Sequence, residues 1–64
     1  MINVKEGDKV MFTTHKGTVK FGTVIHKRSR LTWDEYEDVV DVEVGDDNKM
    51  YTVDEAHLIE SYGQ

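Results

Sequence analysis

Val39-Val40-Asp41-Val42-Glu43-Val44 alternates valine with acid from Val40 onward. A period of two is the mark of a strand with one buried and one wet face. Val40, Val42 and Val44 form the inward set, and Asp41 and Glu43 the outward set. Gly45-Asp46-Asp47-Asn48-Lys49 follows as a polar hairpin turn. Met50-Tyr51-Thr52-Val53 then returns as a second strand, with Tyr51 and Val53 facing inward.

The rest of the chain reads in the same way. Over about 8–14, Val10 and Phe12 alternate with Lys9, Met11 and Thr13, which predicts a first strand. His15-Lys16-Gly17 supplies a turn, with Gly17 free to take positive φ. A strand over 18–27 is rich in β-branched and aromatic residues, and Phe21 is expected in the core. Gly22 interrupts that strand and predicts a bulge or bend there. Residues 28–38 read as the longest connection, and Thr32 and Glu35 have the spacing for one helical turn inside it. Thr52-Val53-Asp54-Glu55 repeats that spacing and predicts a 3-10 turn through Ala56-His57, with Leu58 and Ile59 in a short last strand against the first. The rival reading is a helix over 53–60. The fold class is therefore all-β, a five-stranded small barrel forming one domain over 1–64.

Bulk properties narrow the function classes. A chain of 64 residues buries only about 60% of the surface it exposes when unfolded, so its stability margin is thin. There is no cysteine, hence no disulfide and no thiolate metal site. No apolar run approaches the roughly 18 residues of a membrane span, and residues 1–6 lack the apolar stretch of a secretory leader. A soluble, cytoplasmic protein with no membrane partner is the expectation. Residues 1–32 hold seven basic and two acidic side chains, and residues 33–64 hold one basic and eleven acidic. The two halves should pair in part, leaving an acidic excess. A net charge of −5 disfavours nonspecific attachment to phosphate backbones, although a local basic face is compatible with it.

Lys5-Glu6-Gly7-Asp8-Lys9-Val10, Gly22-Thr23-Val24 and Val53-Asp54-Glu55-Ala56-His57-Leu58 resemble the opening strand, second strand and late 3-10 turn of small SH3-like barrels, a group that includes KOW and Tudor-like domains. The resemblance spans nearly the whole chain and concerns the fold. It implies a protein- or RNA-binding module of the kind found in nucleic-acid machinery. Plasmid-type dihydrofolate reductases also look like small SH3-like barrels, with a Val-Gln-Ile-Tyr run in the late strand. Here the run is Asn48-Lys49-Met50-Tyr51. Only the tyrosine agrees, so that activity is not expected.

Signatures of chemistry are weak. Gly17-Thr18-Val19-Lys20-Phe21-Gly22-Thr23 imitates a phosphate loop but lacks the lysine after its second glycine. Asp46-Asp47-Asn48 lacks calcium-loop spacing and reads as a solvated hairpin tip. His15, His26 and His57 lie far apart in sequence and define no metal site. Ser29 and Ser61 have no nucleophile motif around them. No catalytic residue, metal or cofactor is assigned, and the chain is read as a non-enzymatic module.

The segment 28–38 is the best candidate for recognition. Arg28, Arg30, Trp33 and Tyr36 are residue types that dominate interface energetics, and Asp34, Glu35 and Glu37 would steer a partner. These seven residues are the candidate protein-docking set of a small accessory or regulatory protein, of phage or plasmid type on size alone. Alternatively, Trp33 caps the open end of the barrel with Tyr36 beside it. An aromatic cage for methylated lysine from Trp33, Tyr36 and Tyr51 is a further reading. The rival class is direct RNA or DNA binding through Lys16, Lys20, Lys27, Arg28 and Arg30, with Phe21 as a stacking platform. Self-assembly through an exposed strand edge is a third.

Overall fold

The computed structural model describes residues 3–62. Within them lie β1 (Lys9–Thr13), β2 (Val19–Leu31), β3 (Tyr36–Val44), β4 (Lys49–Asp54), a 3-10 turn (Glu55–His57) and β5 (Leu58–Tyr62). All pairings are antiparallel, in the order β4-β3-β2-β1-β5. The ladder does not close, and β4 and β5 are its two edges. The all-β class, the five antiparallel strands and the 3-10 turn before the last strand agree with the sequence reading. The rival helix over 53–60 is replaced by that turn and β5.

Alternation places the core where it was expected. Val10, Phe12, Val24, Val40, Val42, Val44 and Leu58 are buried in one cluster with Val4, and Tyr51 and Val53 pack against it. The sheet coils far enough to bring Tyr51 of β4 against Phe12 of β1, with ring centroids 5.5 Å apart. Offset or tilted ring pairs at this distance add to the burial term. Gly17 sits at φ +86 in the β1–β2 turn, a conformation that costs a residue with a Cβ.

Four expectations are corrected. The connection over 28–38 is far shorter than predicted. β2 runs on to Leu31 and β3 begins at Tyr36, so only Thr32-Trp33-Asp34-Glu35 lies between them. Arg28 to Leu31 remain in the ladder because β3 offers each of them a backbone partner, Val39 to Tyr36. The link contains no helical turn. Thr32 instead donates from its backbone N–H (2.7 Å) and its hydroxyl (2.8 Å) to the Glu35 carbonyl, which closes a two-residue hairpin over Trp33 and Asp34.

The bulge is also displaced. Val24 pairs with Val42 and His26 with Asp41, so the extra residue is Ile25. Gly22 serves a different need, because a Cβ there would lie 2.4 Å from Val42 Cγ1 and 2.6 Å from the Glu43 carbonyl. Phe21, expected in the core, is instead 60% exposed. It pairs with Met11, on the face opposite Val10 and Phe12.

A buried carboxylate and a half-buried lysine near the N-terminal segment tie the ends of the fold together. Glu55, 8% exposed, accepts from the Val4 N–H at 3.0 Å and from Lys27 Nζ at 2.8 Å. Lys27 Nζ also donates to the Val4 carbonyl (3.1 Å) and to Asn3 Oδ1 (2.9 Å). Lys27 can do this because the bulge at Ile25 turns it to the face that Val40 shares. Its ammonium closes a link between β2, the 3-10 turn and the chain entry.

Candidate functional site

The β2–β3 hairpin carries the docking candidates, and the ladder sorts them into two groups. Arg30 pairs in register with Glu37, Arg28 with Val39, and His26 with Asp41. Arg28 therefore reaches Asp41 diagonally, at 3.3 Å, and Arg30 bonds both its rung partner Glu37 and Asp54 of β4, the latter at 3.0 Å. Ser29, on the other face, donates to Asp38 at 3.0 Å. Val39 lies between Arg28 and Asp54 in register and is buried, apart from the main cluster. The stems of long basic side chains cover apolar neighbours in this way. Arg28, Arg30 and Glu37 thus brace the hairpin internally.

The second group is at the tip. Trp33 is 97% exposed, Tyr36 72% and Leu31 64%. Leu31 and Tyr36 face each other across the last rung, and Trp33 lies in the link beyond it. Asp34 and Glu35 are exposed beside them. The capping alternative for Trp33 does not fit this exposure. Tyr51 packs on Phe12 in the interior cluster, so it is separated from the other two aromatics of the imagined cage. Leu31 was missed because it closed what read as a basic loop segment. No periodic signal marked it, because Lys27 and Ser29, which precede it on the same face of the strand, are both polar.

The candidate nucleic-acid cations are not gathered on one surface. Lys20 pairs in register with Phe12 and Phe21 with Met11, so the lysine and the proposed stacking ring occupy opposite faces. Lys27 turns toward Glu55, and Arg28 and Arg30 lie on the other face of β2. Lys20 is also engaged, with Nζ 2.8 Å from Asp47 Oδ2. Of the five candidates only Lys16 lacks an ion pair among the described residues. The described residues contain no group of three or more histidine or acidic side chains placed to hold a metal ion, and no helix long and apolar enough to cross a membrane.

Local electrostatics follow from these pairs. The hydrogen bonds from Thr52 and Arg28, and then the charge of Arg28, hold the Asp41 carboxyl below the ordinary aspartate value. Hydrogen bonds from Lys20 and Tyr51 do the same for Asp47. In return, Asp47 raises the pKa of the Lys20 ammonium and of the Tyr51 hydroxyl. A carboxylate with a depressed folded-state pKa stabilises the fold fully above its unfolded value, about 3.9, and loses that contribution as pH falls through the folded value. The raised Lys20 and Tyr51 contribute below about 10 and lose their share as pH rises past it. Through these four groups stability is therefore expected to fall on the acid side below about pH 4 and on the alkaline side above about 10. The variant Asp41→Asn should show a shallower acid limb in urea midpoints measured from pH 2 to 7. An unchanged limb would remove Asp41 from the account.

No family model, curated protein or solved structure matches the chain.

Proposed function

We propose that the chain is a small SH3-like barrel that works as a non-enzymatic module and docks on a protein partner through the tip of its β2–β3 hairpin. The single observation that carries this reading is the exposure of Trp33, Leu31 and Tyr36 together at one projecting end. Large apolar side chains gathered on a surface mark interaction sites, and a tryptophan flanked by tyrosine is the usual composition of an interface anchor. The strand order and the 3-10 turn before β5 support the barrel reading.

The proposed mechanism is insertion of Trp33 into an apolar pocket, with Leu31 and Tyr36 sealing its rim. Asp34 and Glu35 favour a partner whose pocket is edged by basic residues, and they act chiefly on the rate of encounter. Arg28, Arg30 and Glu37 keep the hairpin rigid, so that little ordering entropy is lost on docking. The scattering of the cations over different faces supports this reading over nucleic-acid binding.

The test is affinity capture from the native host with and without nuclease, followed by binding measurements on Trp33→Ala/Tyr36→Ala. The double variant is expected to keep its melting temperature within a few degrees, because neither side chain is in the core. Partner affinity is expected to drop by at least about 30-fold, the size of a lost hot spot. Retention of the captured partner by the folded double variant would overturn the reading. So would nuclease-sensitive capture with a steep salt dependence.

A further inference from the structure

The free edge of β4 borders a groove that the hairpin tip does not use. Two cavities, of about 430 and 350 Å³, meet at Thr14, His15 and Tyr51. On one side the second is lined by Tyr51, Thr52, Val53 and Asp54 in succession. Consecutive strand residues point to opposite faces, so four in a row line one wall only where that wall is the edge of the strand. β4 has a ladder partner on its β3 side alone. Its other edge presents backbone N–H and C=O groups to this groove. Such an edge is a template for an added strand unless it is covered or blunted.

The charges in the groove are unequal at its two ends. Near the β1–β2 turn it is lined by Lys16, Lys20 and Lys49, with Asp47 as the acid among them. Asp47 is consumed by Lys20 at 2.8 Å and by the Tyr51 hydroxyl at 3.0 Å. Among the described residues Lys16 and Lys49 form no ion pair. At the far end Arg30 is neutralised by Glu37 and Asp54. Two uncommitted ammonium groups therefore stand at one end of an unpaired strand edge.

We infer that this groove takes an extended peptide segment of a partner protein, which adds to β4 as a further strand and carries acidic side chains at the Lys16/Lys49 end. Main-chain hydrogen bonds supply the affinity and the lysines supply the register, as in other cases of strand addition. The surface is separate from the Trp33 tip and does not depend on it.

The test is NMR titration of the isotope-labelled full chain with a capped octapeptide, Glu-Glu-Val-Thr-Val-Thr-Val-Thr. Three comparison probes are the same peptide with Lys-Lys in place of Glu-Glu, an alternately N-methylated version, and a ten-residue oligothymidylate. The acidic peptide is expected to shift the amide signals of residues 14–18 and 49–54 saturably. The lysine version should bind about tenfold more weakly, and N-methylation should abolish binding. The charge-reversed variant Lys16→Glu/Lys49→Glu should prefer the lysine peptide, and Trp33→Ala/Tyr36→Ala should bind the acidic peptide as the parent does. The inference is overturned by no shift up to about 1 mM peptide or by equal binding of the N-methylated version. Shifts confined to the hairpin tip, or oligothymidylate binding in the groove where the peptides fail, would overturn it equally.

Discussion

Replacing Phe12 with alanine is expected to unfold most of the protein at 25 °C. Phe12 is 1% exposed and is the largest fully buried side chain in the molecule. It touches the ring of Tyr51, so its loss also removes the contact that brings β4 over β1. Truncation of a buried phenylalanine costs about 3–5 kcal/mol. A domain below about 70 residues without disulfide or metal rarely has more than about 3–5 kcal/mol to lose. Urea denaturation followed by far-ultraviolet circular dichroism measures the effect. Phe21→Ala is the control, since Phe21 is also a strand phenylalanine but lies outside the core. It is expected to change stability by under about 1 kcal/mol. Equal destabilisation by the two variants would mean that the sides of β2 are wrongly assigned.

Gly22→Ala is expected to be the second most damaging change, at about 2–3 kcal/mol. The added methyl would stand 2.4 Å from Val42 Cγ1 and 2.6 Å from the Glu43 carbonyl oxygen. Val42 is wholly buried in the middle of β3, and its pairing with Val24 and Tyr51 leaves it little freedom to retreat. The carbonyl belongs to the sheet and moves only if β2 and β3 separate. Overpacking of this kind costs about 1–3 kcal/mol, and a backbone obstacle places it toward the upper end. Gly45→Ala separates sterics from glycine loss as such, because a Cβ at Gly45 meets nothing within 4 Å. Thermal melts should place Gly45→Ala near the parent and Gly22→Ala well below it. A Gly22→Ala variant as stable as the parent would show that β2 and β3 do not approach as described.

Much of this fold was legible because period-two alternation survives translation into three dimensions. Val40, Val42 and Val44 are inward in any sheet that uses that segment as a strand, and Val10 and Phe12 follow the same logic. The late 3-10 turn was readable from local spacing. What failed was every inference about where β2 ends. Arg28-Ser29-Arg30 is polar on both faces, and polarity without apolar alternation reads as loop. Only with β3 in register does the segment become a strand with Ser29 against Asp38 and Arg30 against Glu37. The candidate site shared that fate. The composition of 28–38 drew attention to Trp33 and Tyr36, which are exposed, but it could not tell projecting residues from bracing ones.

Local sequence determined which residues point inward in β1, β3 and β4, where the chain turns at Gly17 and Gly45–Asn48, and that the domain is all-β. Tertiary structure alone decided the bulge at Ile25, the outward placement of Phe21, the internal pairing of Arg28, Arg30 and Lys27, and the free edge of β4. The physical reason is range. Alternation and turn preference are properties of neighbouring residues, whereas register, edges and ion pairs exist only between segments distant in the chain, and each is fixed by the partner strand as much as by its own sequence.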